Sequence, residues 1–364
     1  MKFGHFCLPT YFPDVDGDQG LLMRRWIDLL ADSEALGFDS LWANEHHFDS
    51  YGGLIPSPAT FLAALSQRTS HARLGTSIIV LPLNNPIAIA EQLAMVDLMS
   101  GGRLEFGIGR GFVDFDYDRL GVPRDDSQER MYEQLDIILK AWSGEPFAHE
   151  GKYYNYPKLE LWPQPEQRPH PPIWLSCSRT PASYEWAGQR GYKILTIPYL
   201  SVEMAAENNK IYRAAWAEAG HAANEWQIAA HYHCVLCETK QEARQIGRDA
   251  WRRYLAATNH TRDRNRMDGD HVVAPSQRQV GESDLDMDKM VEELRTIACT
   301  PGEAVALLEK AQDAMGFTQC DCTFYFGGVS HDQARRSMHL FTSEVMPKLK
   351  DREPAIKLAA TGSG

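Results

Sequence analysis

Glu45, His46, His47 and Phe48 follow directly on Asp39 to Ala43, a short apolar segment that reads as a β-strand. An amphipathic stretch from Leu22 to Leu36 precedes that strand and stops at Gly37, a helix-termination signal. A carboxylate beside two imidazoles at the C-terminal end of a strand is where α/β proteins place their chemistry. Imidazole exchanges protons near neutral pH, so the chemistry indicated is general acid–base work. A plain surface loop would fit the same four residues, and the segment alone leaves both readings open.

Two further segments carry chemistry at strand ends. Phe106-Gly107-Ile108-Gly109-Arg110-Gly111 superficially matches a dinucleotide-binding turn, but its third glycine comes early and no helix opens behind it. Glycines there would let a flat ligand approach the backbone, with Arg110 as a charge for a phosphate; a tight barrel corner is the alternative. Ser176 to Ser183 ends a strand and opens a helix with Thr180 at the N-cap and Pro181 in the first turn. Ser178, Arg179, Thr180 and Ser183 around a helix N-terminus form a phosphate cradle. His231 and His233 share a face of one strand, and Cys320 and Cys322 of another, but no carboxylate set or second cysteine pair with zinc-site spacing accompanies them. They read as satisfied core or wall residues. No Gly-x-Ser-x-Gly elbow of a serine hydrolase is present.

Strands at Phe3–Leu8, Ser40–Ala43, Arg73–Leu81, Leu104–Ile108, Ile173–Cys177, Lys193–Ile197, Gln227–Cys237 and Asp321–Phe326 must position these groups. Helices predicted between them include Pro58–Gln67, Ile87–Met99, Gln128–Trp142, Pro181–Arg190, Lys240–Thr258 and Gly302–Met315. Eight strands each followed by a helix is the count that closes a (β/α)8 TIM barrel; a doubly wound open sheet is the rival. One barrel domain over residues 1–350 is expected, with a polar insertion, Thr261 to Met290, before the last strand as a mobile loop or lid, an inert solvated excursion being the alternative. Residues 351–364 read as a flexible tail.

With 43% hydrophobic residues in 364, the chain can bury a large core. A net charge of -12 disfavours nucleic acid and anionic membranes. Seven scattered cysteines suit reduced thiols in a cytoplasm, and the first residues lack the apolar core of a secretory signal.

The order of segments resembles the bacterial luciferase-like, flavin-dependent monooxygenases over roughly Met1 to Lys350. The blocks are Met1-Lys2-Phe3-Gly4, Glu45-His46-His47-Phe48, Ile79-Val80-Leu81-Pro82 with Asn85-Pro86, Asp97 to Arg103, Phe106 to Gly111, Trp162-Pro163-Gln164-Pro165, Pro171 to Trp174 and Glu185-Trp186-Ala187. The resemblance implies a barrel that binds FMN in its mouth, used in reduced form with O2 and supplied by a separate NAD(P)H-dependent reductase. It implies a homodimer or a heterodimer with a homologous chain. Matching positions place the phosphate near Arg110, Ser178, Thr180 and Ser183, and the isoalloxazine near Phe6, Glu45, Ser77, Ile78 and Thr196. The peptide matching Ser77-Ile78 is often cis in that family. His46 matches its active-site histidine, with Glu45 orienting or polarising the site, and one oxygen atom would reach a small organic substrate through a C4a-(hydro)peroxyflavin.

The reactive cysteine of the light-emitting members corresponds to Gly109 here, which puts light emission in doubt. A deazaflavin-dependent hydride-transfer enzyme on the same barrel, or a non-catalytic flavin-binding partner subunit, are the alternatives. Tyr11, Phe12, Phe112, Phe115 and Tyr199 point to a mostly apolar substrate, and Asp114, Asp116 and Asp118 disfavour an anionic one.

Overall fold

Side chains alternate across each strand, and here the inward faces are unusually polar. The computed structural model describes residues 1–196, 200–267 and 285–355, with 262–267 as backbone only. Its strands are β1 (Lys2–Cys7), β2 (Ser40–Ala43), β3 (Arg73–Thr76), β4 (Ile79–Val80), β5 (Leu104–Gly109), β6 (Phe147–Glu150), β7 (Asn155–Leu159), β8 (Ile173–Cys177), β9 (Lys193–Thr196), β10 (Ile228–Leu236), β11 (Ile297–Cys299) and β12 (Gln319–Thr323). Parallel pairings run from β1 through β2, β3, β5, β8, β9, β10 and β12 back to β1, so the sheet closes into the (β/α)8 barrel. Strands β6 and β7 form a separate antiparallel hairpin.

Outward residues of β1 pack against helices. Phe3 meets Phe341 edge-on at 5.6 Å, and His5 Nδ1 sits 2.6 Å from Ser33 Oγ on the helix Gln19–Ala35. Inward residues build a hydrogen-bonded floor. Glu105 Oε1 accepts from Arg73 Nε at 2.7 Å, and its Oε2 accepts from Trp174 Nε1 at 2.6 Å with Lys193 Nζ at 3.5 Å. Buried charge persists only when paired in this way. The site therefore rests on a rigid polar base.

Several boundaries differ from the sequence reading. The third strand is broken into β3 and β4 at a cis peptide bond between Ser77 and Ile78. The last strand starts at Gln319 rather than Asp321, because Gln319 is satisfied inside the barrel by Ser40 Oγ at 3.1 Å and Asp321 Oδ1 at 2.8 Å. Polarity disguised its start. Strand β11, only three residues long, pairs with β10 outside the ring and was not anticipated.

The helix from Lys240 does not stop at Thr258 but runs to Met267, into the segment read as an insertion. Thr258 and Thr261 bond back to the carbonyls of Tyr254 and Ala257, at 2.9 and 3.2 Å, so polar composition did not end the helix. A further helix spans Met287–Glu292. The remainder of the expected lid, 268–284, lies outside the described residues, as do Ile197 and Tyr199 and the tail from 356. Before that point, the Met1 amine donates to Lys350 O and Arg352 O, each at 2.7 Å.

Gly107 shows why glycine is required in β5. Its N–H and carbonyl both bond Thr76 Oγ1, at 2.9 and 2.7 Å, and a Cβ would overlap the Thr76 carbonyl oxygen. Gly107→Ala is expected to lower unfolding stability by about 1–3 kcal/mol, the range for overpacking a rigid interior. A urea unfolding midpoint equal to the parent's would contradict this account.

Candidate active site

The C-terminal ends of the strands surround a cavity of about 350 Å³. Phe6, Glu45, His46, Ser77, Ile78, Arg110, Ser178, Thr180, Ser183 and Thr196 all border it. These residues come from six strand ends, and the closed barrel brings them together.

One end of the cavity is a set of uncommitted donors. Thr180 occupies the N-cap of the helix Pro181–Arg190 but makes no side-chain cap bond, unlike Ser57, Asn85, Ser201, Thr300 and Ser330 at other helix starts. No described residue bonds the hydroxyls of Ser178, Thr180 or Ser183 or pairs with the guanidinium of Arg110. The Arg110 carbonyl is fixed by Tyr117 Oη and by Arg124 Nη1, which holds its backbone in place while the charged end stays free. A helix N-terminus, three hydroxyls and an arginine fit the phosphate of a mononucleotide cofactor. Beside them the Ile78 side chain fills the space over Gly109: a Cβ there would collide with Ile78 Cδ1 and come within 3.3 Å of Ser176 Cβ.

The opposite wall holds the imidazoles. His46 packs against Tyr51 at 5.1 Å and edge-on against Phe112 at 5.7 Å, and neither ring nitrogen has a hydrogen-bond partner among the described residues. Burial, reinforced by the neighbouring His47, lowers its pKa to about 4, so the ring is neutral at pH 7. Glu45 is 3% exposed, and its carboxylate is a strut: it accepts from Val80 N at 2.7 Å, Asn84 Nδ2 at 2.9 Å and His47 Nε2 at 3.0 Å. It therefore ties the end of β2 to β4 and makes no hydrogen bond to His46. Burial works against protonation of His47, but the hydrogen bond and charge of Glu45 outweigh it and raise its pKa.

Sequence reasoning passed over several lining residues. Asp116, read only as a repelling charge, is buried with Oδ1 unpartnered, and burial raises its pKa to about 7. His231 lines the cavity, whereas His233 behind it is fully buried with neither ring nitrogen bonded by a described residue. The expectation of a satisfied residue fails for His233, which Trp251, Tyr254 and Phe326 enclose at 4.6–4.8 Å. Asn44, Tyr51 and Tyr254 also border the cavity. The period-2 pattern of β10 put both histidines on one face, but no local signal marked Asn44.

A closed barrel whose mouth joins an anion cradle to a neutral imidazole defines a cofactor-using α/β-barrel enzyme. The model of the luciferase-like monooxygenase family matches residues 1–318, and the chain belongs to that family as a flavin-dependent, oxygen-using oxidoreductase. It is 29% identical over 360 residues to the alkanal monooxygenase alpha chain of the Kryptophanaron alfredi symbiont, covering 97% of this chain and 99% of that one. It is 27% identical over 342 residues to the oxygenase component of the flavin-dependent trigonelline monooxygenase of Acinetobacter baylyi, covering 92% and 91%. Among solved structures, monooxygenase RslO1 from Streptomyces bottropensis superposes with a TM-score of 0.86 at 29% identity, covering 96% of this chain and 99% of that one.

Proposed function

We propose that this chain is the oxygenase component of a two-component system, receiving reduced FMN from a separate NAD(P)H-dependent reductase and inserting one atom of O2 into a small, mostly apolar organic substrate. The observation that carries this reading is one cavity with anion donors at one end and a neutral imidazole on its wall, neither of them bonded by any described residue. When bound, reduced FMN supplies the electrons that activate O2 for transfer to the substrate. Arg110, Ser178, Thr180 and Ser183 would hold its phosphate, while Phe6, Ser77, Ile78 and Thr196 would bound its ring. His46 accepts a proton from the reacting groups and returns it, and Glu45 holds the loop that carries His46. Phe6, Leu8, Phe112 and Val113 limit access of water.

A dimer, with a second copy or a homologous chain, is part of the proposal. The helix Pro86–Ser100 leaves Met95, Leu98 and Met99 between 41 and 49% exposed, an apolar face suited to a partner.

The test is an anaerobic titration with reduced FMN, followed by mixing with oxygenated buffer. Arg110→Ala should weaken FMN binding about 10–100-fold, the worth of a charge-assisted hydrogen bond. Oxidation of the bound flavin should differ from that of free flavin, and label from 18O2 should enter an oxidised product. Tighter binding of a deazaflavin, with no oxygen consumption, would replace this reading with hydride transfer. Wild-type-like FMN affinity in Arg110→Ala would remove the cradle.

A further inference from the structure

The part of the cavity beyond the anion cradle holds two acceptors to which no described residue donates. His231 enters it from β10 with its ring 4.3 Å from that of Phe6. Its Nε2 lies 2.8 Å from Thr323 Oγ1, and that hydroxyl donates its single proton to Phe6 O at 2.9 Å. Thr323 therefore accepts, and His231 Nε2 carries the hydrogen. Burial keeps this ring neutral, so Nδ1 retains its lone pair, and no described residue donates to it.

Asn44 provides a second acceptor from another strand end. Its Nδ2 donates to Gly52 O at 3.4 Å, which orients the amide and leaves Oδ1 facing no donor. The residue is 2% exposed and borders the cavity. It stands beside His46: a Cβ built on Gly52 would meet His46 Cδ2 at 2.7 Å, Asn44 Nδ2 at 2.8 Å and Leu8 Cδ1 at 2.8 Å. A buried acceptor left without a donor is costly, and a ligand that supplies the donor recovers that cost. Phe6, Tyr51 and Phe112 make the surrounding surface aromatic.

We propose that the substrate is a neutral aromatic compound bearing a hydroxyl group, and that Asn44 Oδ1 or His231 Nδ1 selects it by accepting the hydrogen of its O–H. A simple alkanal or ketone carries only acceptors and satisfies neither atom. The inference rests on the cavity being the substrate site of the proposed oxygenase, and it adds the chemical class of that substrate.

The test is calorimetric binding to the full chain with oxidised FMN present, so that no turnover occurs. The probes are 4-propylphenol, 2-naphthol and 9-hydroxyphenanthrene, each paired with its methyl ether, plus decanal. At least one hydroxyl compound should bind about tenfold tighter than its ether, as expected for filling an unsatisfied acceptor. At least one of Asn44→Leu and His231→Phe should reduce that preference, and where His231→Phe does so, His231→Gln, which retains an acceptor, should preserve more of it. Circular dichroism and thermal midpoints verify that each variant is folded. Binding without a hydroxyl preference, tighter binding of decanal, no binding of any hydroxyl compound, or a preference intact in both Asn44→Leu and His231→Phe would overturn the proposal. A hydroxyl preference in a protein that fails to bind FMN would instead overturn the flavin reading and leave the acceptor pair standing.

Discussion

His46→Ala is expected to lower turnover about 10²–10⁴-fold, the range for losing a positioned proton carrier, while leaving FMN affinity unchanged. His46 lines the cavity, packs against Tyr51 and Phe112, and bonds no described residue through either ring nitrogen. Its pKa of about 4 means that the neutral ring is present at pH 7 and can accept a proton before returning it. Activity should therefore fall only as the pH drops toward 4, and the acid limb should vanish in His46→Ala. Glu45→Gln should behave differently: Glu45 bonds Val80, Asn84 and His47, so its loss should appear chiefly as lowered stability. Steady-state kinetics with reduced FMN supplied in excess reads both variants. Unchanged turnover in His46→Ala would eliminate His46 as the proton carrier.

Glu45-His46-His47 and Ser178 to Ser183 could be read from sequence because each is a short run whose meaning depends on one strand end or one helix start. The barrel was legible for a similar reason: alternating strand and helix signals survive without knowledge of tertiary contacts. What escaped depends on partners far along the chain. The tautomer of His231 follows from Thr323 having spent its proton on Phe6, three residues from three strands. The open acceptor of Asn44 appears only once Gly52 has taken its amide donor. In sequence Asp116 reads only as a carboxylate that disfavours an anionic substrate, and its burial depends on the packing of the mouth. The polar start of β12 was obscured because Gln319 and Asp321 satisfy one another inside the barrel, where an apolar cue was expected.

The buried histidines set a second large effect, on acid stability. Burial is the main cause that lowers the pKa values of His5 and His231 to about 3, that of His46 to about 4, and that of His233 well below the usual value. All four are neutral in the fold yet titrate near 6.5 when unfolded, so the unfolded chain binds more protons and stability falls as pH drops below 6.5. Asp116 and Asp321 oppose this, because burial raises both to about 7 and the folded state takes up their protons first. Four histidines against two carboxyls leave a net loss of about 3 kcal/mol per pH unit once all six contribute fully. Stability should be nearly flat from pH 7.5 to 6.5, then fall by about 3 kcal/mol by pH 5, a large part of a typical domain's 5–15 kcal/mol. Urea unfolding at four pH values measures the slope, and a stability that held or rose on acidification would refute the assignment. His233→Leu gives the sharper version. It removes one neutral imidazole that makes no hydrogen bond among the described residues, so it should flatten the acid slope by about 1 kcal/mol per pH unit while the cavity-facing histidines stay in place.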